Sequence, residues 1–256
     1  MLTVSIETAI FLFTASVLAG ALNAVAGGAT FFTFPVLVWS GLTPLVANVT
    51  NMVALFPANV AALPAYRNQL RALGKKIWPP LMIGVIGGTI GAVALLYLGG
   101  NLFAALVPYL MGLATLLFAT APALRRLVVR SQRDTGGRGS WAPVAILFVF
   151  SLYGGYFGAG LGQIVLAALI LNGHEDFHEA NALKNGVVSA ISLMAVLVYV
   201  FSGAVSWPHA AIMVIGATAG GYFGATLSQA VPQYILRILV IAFGVFLTIY
   251  YFLEGA

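Results

Sequence analysis

The sequence predicts an all-helical integral membrane protein of about eight transmembrane helices, arranged as two homologous four-helix repeats with broken or re-entrant segments near its glycine motifs. Three observations lead there. The first is composition: of 256 residues, 61% are hydrophobic and 7% are charged, whereas a soluble domain is about 25% charged. The 11 basic and 6 acidic side chains cannot coat a soluble surface, and mean hydropathy is +1.04. A soluble globular domain, a disordered chain and a nucleic-acid binder are excluded. The second observation is a series of long apolar stretches, and the third is an internal repeat.

The apolar stretches are residues 4–22, 31–66, 77–98, 102–121, 142–171, 182–201, 208–231 and 234–253. Two of them do not fit a simple span. Residues 31–66 hold a full helix plus a half-helix, broken near Gly41–Pro44. As one helix, 142–171 would be about 45 Å long at 1.5 Å per residue, against a hydrocarbon core of about 30 Å. Each region is therefore expected to contain a break or a re-entrant piece. Residues 10–26 resemble a secretory h-region and cleavage site, but no Lys or Arg precedes them, so the segment is expected to be retained. With no cysteine in the chain, disulfides, thiolate catalysis and Cys-based metal sites are absent.

Charge placement sets the expected topology. Arg67, Arg71, Lys75 and Lys76 form one basic loop; Arg125, Arg126, Arg130, Arg133 and Arg138 form another. Cytoplasmic loops carry the excess of Lys and Arg, so both are expected inside. The acidic loop 174–179, one apolar stretch further on, is expected outside.

The repeat runs at a near-constant offset. Gly87-Gly88-Thr89-Ile90-Gly91-Ala92 recurs as Gly220-Gly221-Tyr222-Phe223-Gly224-Ala225 at an offset of 133, as do Ala47-Asn48 as Ala180-Asn181 and Tyr66 as Tyr199. Trp78-Pro79 recurs as Trp207-Pro208 at 129. The halves are 1–122 and 142–256, joined by the basic linker 123–141. Duplicated membrane folds with broken helices place substrate near the midplane, at the interface between repeats.

The candidate substrate-binding residues fall in matched positions. In the first half, Asn23, Gly27, Gly28 and Thr30 surround a glycine pair that breaks the helix, with Thr30 as the expected N-cap of the next run. A helix N-terminus with unpaired N–H groups suits an anion. Asn48, Thr50 and Asn51 follow, the two amides on one helix face with their NH₂ groups as candidate donors. In the second half stand Gly160 and Gln163, then Asn181, Lys184 and Asn185. Lys184 is expected to open an apolar helix and to supply a fixed positive charge, because ionisable groups at membrane depth are functional by default. The competing structural readings are close packing by small residues, interhelical amide bonds, and a lysine that snorkels or pairs with Glu179. His174 and His178 read as a solvated loop, and His209 as an interface residue. Trp39, Trp78, Trp141 and Trp207 lie at stretch ends, as an interfacial belt requires. No catalytic triad, P-loop, nucleotide fingerprint or metal-ligand set is visible, so no catalytic residue, cofactor or metal is expected.

The run Asn23-Ala-Val-Ala-Gly27-Gly28-Ala-Thr30-Phe-Phe-Thr33-Phe-Pro35, with Gly41-Leu-Thr-Pro44, Ala47-Asn-Val-Thr-Asn51 and Tyr66-Arg67, resembles the first repeat of the sulfite exporter TauE/SafE family, also called the 4-toluene sulfonate uptake permease family. Tyr153-Gly-Gly-Tyr-Phe-Gly158-Ala-Gly160 with Asn181-Ala-Leu-Lys184-Asn185 resembles its second. Leu161 and Gln163 depart from the pattern, standing where members often have glycine and an apolar residue. The resemblance implies an inner-membrane permease of two four-helix repeats, acting on small sulfur-containing or organic anions such as sulfite, a sulfonate or sulfoacetate. The expected function is a secondary transporter working by alternating access. Its partners would be a small anion and the lipid bilayer, without nucleic acid, and a homo-oligomer is left open. The alternatives are a passive small-anion channel and a non-transporting membrane assembly factor.

Overall fold

The computed structural model describes residues 4–25, 28–61, 63–135, 141–174, 176–227 and 233–254. Among them all regular structure is helical, without a strand. The helices are α1 (Ile6–Val25), α2 (Ala29–Trp39), α3 (Pro44–Ala61), α4 (Arg67–Leu73), α5 (Trp78–Thr135), α6 (Ala142–Tyr156), α7 (Leu161–Leu171), α8 (Phe177–Ser202), α9 (Trp207–Leu227) and α10 (Gln233–Glu254). Within α5, Gly99 leaves the helical region at φ 80°, ψ 170°, which separates the two apolar stretches expected there. His178–Ser202 and Tyr234–Leu253 are each long and apolar enough to cross a membrane, with mean hydropathies of 1.9 and 2.2. Large apolar side chains such as Leu18, Ile86, Leu116, Ile215 and Ile238 point outward, on a surface that only lipid can solvate. The protein is an integral membrane protein. All four tryptophans are exposed at helix ends: Trp39 closes α2, Trp78 opens α5, Trp141 caps α6 and Trp207 opens α9.

Two pairs of helices double back instead of crossing. Helices α2 and α7 have 11 residues each, about 16 Å at 1.5 Å per residue, half the hydrocarbon thickness. In the second pair, Asn172 at the end of α7 donates to the carbonyl of Pro143 at the start of α6, at 2.9 Å. The two ends of the α6–α7 hairpin therefore meet, and its tip, residues 157–160, is its far end. In the first pair, the Trp39 ring at the end of α2 stacks on Phe11 near the start of α1, with centroids 6.4 Å apart. This hairpin begins beside the start of α3, whereas α6–α7 begins near its finish. The two enter from opposite ends of the molecule.

The hairpins lock the two halves together: α1 packs along α9, and the first run of α5 along α6. A Cβ placed on Gly87 would meet the Phe148 carbonyl, Ser151 Cβ and Leu152 N; on Gly216 it would meet the Phe13 carbonyl, Ser16 Cβ and Val17 N. Gly91 faces the Leu152 carbonyl as Gly220 faces that of Val17. Ser151 Oγ donates to the Leu147 carbonyl at 2.7 Å, and Ser16 Oγ to that of Leu12 at 2.6 Å. Without a hydrophobic effect to drive helices together in lipid, such close approach supplies the association energy. The glycines of these contacts match at an offset of 129, that of the Trp-Pro pairs, and their partners on α6 and α1 at 135, against the 133 that aligns the Gly-Gly motifs by sequence.

One topological expectation is overturned. The segment 174–179 does not lie across the protein from the basic loop 67–76; it lies beside it. Asn181 Nδ2 donates to Tyr66 Oη at 3.1 Å, and Leu70 and Ile77 pack with Leu183 and Val187. Burial pushes the His174 imidazole below its ordinary value; Glu179 opposes this and the nearby Lys76 ammonium reinforces it. The physical reason is the hairpin, which returns the chain to the side it left. Single cysteines at Lys75 and Glu179, both exposed, are therefore expected to react with an impermeant thiol reagent from the same side of a sealed membrane. Reaction from opposite sides would contradict the hairpin.

Candidate functional site

The α6–α7 tip is a built structure. Gly160 caps α7 from the left-handed region at φ 70°, ψ 6°, and Gly28 caps α2 at φ 89°, ψ 20°; both conformations suit a residue without Cβ. Thr30 is therefore not the N-cap expected of it: it is buried in the first turn of α2, two residues past Gly28. Three carbonyls where α6 ends are taken up by side chains. Tyr199 Oη donates to Gly155 O, Asn48 Nδ2 to Tyr156 O at 2.9 Å, and Tyr153 Oη to Ala159 O at 2.9 Å. An irregular backbone at this depth requires such partners.

The two tips meet around one ring. Phe118 of α5 lies against Gly28 and against Gly160, at 3.6 and 3.8 Å from a Cβ built on each. Helix α3 runs between the tips: Met52 seats on Gly158 and Leu55 packs with Ala29 at the start of α2. The positive ends of two short helices thus converge near the centre of the bundle.

Lys184 lies beside the second of these ends. A Cβ on Gly162, in the first turn of α7, would be 3.9 Å from Lys184 Cδ. The lysine does not open its helix. Asp176 caps α8, its carboxylate accepting from Glu179 N at 2.8 Å, and Lys184 sits two turns further in. Its Nζ donates to Asn181 Oδ1 at 2.9 Å, so a chain Tyr66–Asn181–Lys184 holds the ammonium while the lysine's stem lies against the first turn of α7. An ammonium and a helix N-terminus share one preference, for an anion.

The other expected residues divide. Asn48 and Thr50 are fully buried and bonded across the halves, Asn48 to Tyr156 and Thr50 Oγ1 accepting from Ser206 N at 3.0 Å. Asn51 is 2% exposed with its Oδ1 unpartnered. Asn185 spends an N–H on the Asn181 carbonyl of its own helix at 3.0 Å. Gln163 is half-buried in the first turn of α7. Gly27 and the Asn23 side chain lie outside what is described. His209 is buried, its Nδ1 2.8 Å from Ser206 Oγ.

Sequence reasoning missed Arg237. Its Nη2 donates to Phe118 O at 2.6 Å and Ala119 O at 3.3 Å, and its guanidinium lies 5.7 Å from the centre of the Phe118 ring. Residue 122 is proline, with no N–H to offer the Phe118 carbonyl four residues back; Arg237 replaces that donor. The signal was available: apart from Lys184, it is the only basic residue outside the two loops. Tyr153 and Tyr199, which close the α6 end, carried no such signal.

Apolar helices with two re-entrant half-helices around buried polar groups form the architecture of a membrane transporter. The chain belongs to the family described as Sulfite exporter TauE/SafE, whose model matches residues 12–251. Over 248 residues it is 25% identical to a probable membrane transporter protein, ORF9, of Sinorhizobium sp., covering 93% of this chain and 90% of that protein. It is 23% identical over 248 residues to a probable membrane transporter protein of Haemophilus influenzae, covering 96% and 94%. With the probable membrane transporter protein YunE of Bacillus subtilis it shares 26% over 220 residues, covering 79% and 80%. No solved structure matches the chain. The protein is a membrane transporter, not an enzyme.

Proposed function

We propose that the protein is a secondary transporter of a small oxygen-rich anion, such as sulfite, a sulfonate or sulfoacetate, across the bacterial inner membrane. The observation that carries this is the placement of Lys184 against Gly162, which lays the stem of a lysine along the N-terminal turn of α7 with its ammonium held by Asn181. The anion binds there, and Lys184 and the positive end of α7, capped by Gly160, form the core of the site. Asn181 orients the lysine, and Gln163 and Asn51 border the site. The α1–α2 tip, with Gly28 and Thr30, forms the opposing wall beyond Phe118. Asn48, Thr50 and Asn185 serve the frame that holds it.

Residues 1–122 and 142–256 act as two repeats of inverted sense, with matched glycine contacts and hairpins entering from opposite ends. Rocking one hairpin against the other exposes the site alternately to each side. The basic loops 67–76 and 125–138 face the cytoplasm, and by proximity so does 174–179. Counterflow in proteoliposomes tests the carrier cycle. Labelled sulfoacetate or sulfite is expected to enter faster when unlabelled anion is preloaded inside. Equal rates with and without preload would indicate a channel and overturn the carrier reading.

A further inference from the structure

Two of the polar atoms left over near the α6–α7 tip, both amide oxygens, have the wrong sign for an anion, and the third, a hydroxyl, can accept as well as donate. Among the described residues, Asn48 Oδ1, Asn51 Oδ1 and the Tyr156 hydroxyl are buried and unpartnered. The Asn48 amide cannot be turned to hide this, because its Nδ2 is committed to a carbonyl, that of Tyr156; its Oδ1 is therefore an acceptor and nothing else. Asn51 lies one turn along the same face of α3. It stands between Asn48 and Met52, both at the second tip, and one turn before Leu55, which packs with Ala29 at the first. A buried carbonyl oxygen without a donor costs about 1–3 kcal/mol. A bundle that repeats the omission on adjacent turns is arranged for something that supplies positive charge.

The chemistry of the cluster narrows the occupant. Its oxygens are neutral, from amides and a phenol, so a divalent cation that calls for carboxylates is poorly matched. A small, hard monovalent cation accepts such oxygens. Tyr156 is the last residue of α6, and the negative end of a helix favours a cation there. The next helix, α7, presents its positive end a few residues away. In transporters with broken helices, N-terminal ends face anionic groups while C-terminal ends and unwound backbone take the coupling cation.

We propose that Asn48 Oδ1, Asn51 Oδ1 and the Tyr156 hydroxyl hold a sodium-class monovalent cation, which couples transport to a cation gradient. The coupling role rests on the anion site assigned to α7; the binding of the cation does not. A bound cation at this point neutralises the anion beside it and ties α3 to the α6–α7 tip. The loaded site is then closer to electroneutral as it moves, and the empty hairpin is less firmly held.

Thermal denaturation of the purified protein without any substrate anion tests the site, in sodium, potassium or choline chloride at equal ionic strength. Sodium is expected to raise the transition temperature saturably, while choline does not. Asn51→Leu should abolish the sodium-dependent rise, and Asn51→Asp should keep it with a half-saturating concentration about tenfold lower or more, since an added carboxylate strengthens a cation site. A donor site for an anion predicts the reverse for the aspartate. Identical transitions in all three salts, or a sodium response unaltered in both variants, would overturn the proposal. So would a response that follows pH instead of sodium, which would assign these oxygens to a proton-bearing ligand. Anion binding by the wild type, measured separately, distinguishes failure of the cation site from failure of the transport reading.

Discussion

Gly155→Ala is expected to leave little folded protein in detergent, although it adds a single methyl group. A Cβ at this position would overlap the Gly88 carbonyl and the backbone around it. No side chain can swing aside, because the obstacle is the backbone of α5. Overpacking costs about 1–3 kcal/mol where neighbours can shift, and here the cost lies at or beyond the upper end. The neighbouring interface fails as well, since α6 carries the tip that Asn48, Tyr153 and Tyr199 hold. Gly221→Ala is the control: its Cβ would lie 4.0 Å from the nearest atom, the Gly20 carbonyl. That substitution is expected to be neutral or to stabilise α9 by up to about 1 kcal/mol through helix propensity. Size-exclusion profiles and thermal melts of the two variants check the contrast.

Lys184→Gln is expected to abolish transport in proteoliposomes while the protein stays folded. The substitution removes the ammonium that Asn181 holds beside α7. A hydrogen bond to a charged group contributes about 1.5–3 kcal/mol, so anion affinity should fall about 10- to 150-fold. Lys184→Arg keeps the charge but replaces a compact ammonium with a planar fork, and it should retain part of the activity. Asn181→Ala should fall between the two, because the charge remains and only its orientation is lost. If Lys184 served only to satisfy Asn181, the glutamine variant would still bond there, and transport at matched protein amounts would be unchanged.

The contrast between Gly155 and Gly221 also marks what the sequence carries. Both stand in Gly-Gly pairs on apolar helices, and composition alone does not separate the one pressed against a carbonyl from the one in ordinary contact. Apolar length and glycine spacing did predict the breaks at Gly28, Gly41, Gly99 and Gly158–Gly160, because a helix too long for the bilayer must be interrupted. They left open whether α6–α7 breaks and continues or turns back, since continuing and reversing need the same residues at the turn. That reversal is set by distant partners: the Asn172–Pro143 bond and the packing of α6 on α5. It is the reason the side of 174–179 was misread. The amides show the same limit. Asn48 and Asn51 were legible as polar residues on one face, but which atom of each faces a partner depends on the Tyr156 carbonyl, 108 positions away in the chain. Lys184 was legible because a lysine within an apolar run has few structural uses. Arg237 met that criterion too, yet its task follows from Pro122 on another helix.

The central claim is that a small anion binds at the N-terminal turn of α7 under Lys184, and a single cysteine at Gly162 tests it most directly. The chain has no cysteine to interfere. Gly162 has no positive φ, and its Cβ would make only an ordinary 3.9 Å contact with Lys184, so Gly162→Cys should fold. The measurement is the rate at which this thiol reacts with a small sulfonate-bearing methanethiosulfonate, with and without sulfoacetate or ethanesulfonate. The account predicts fast reaction, slowing as the competing sulfonate saturates the site, and a much slower reaction when Lys184→Gln is added. A rate indifferent both to the sulfonates and to the loss of Lys184 would contradict it.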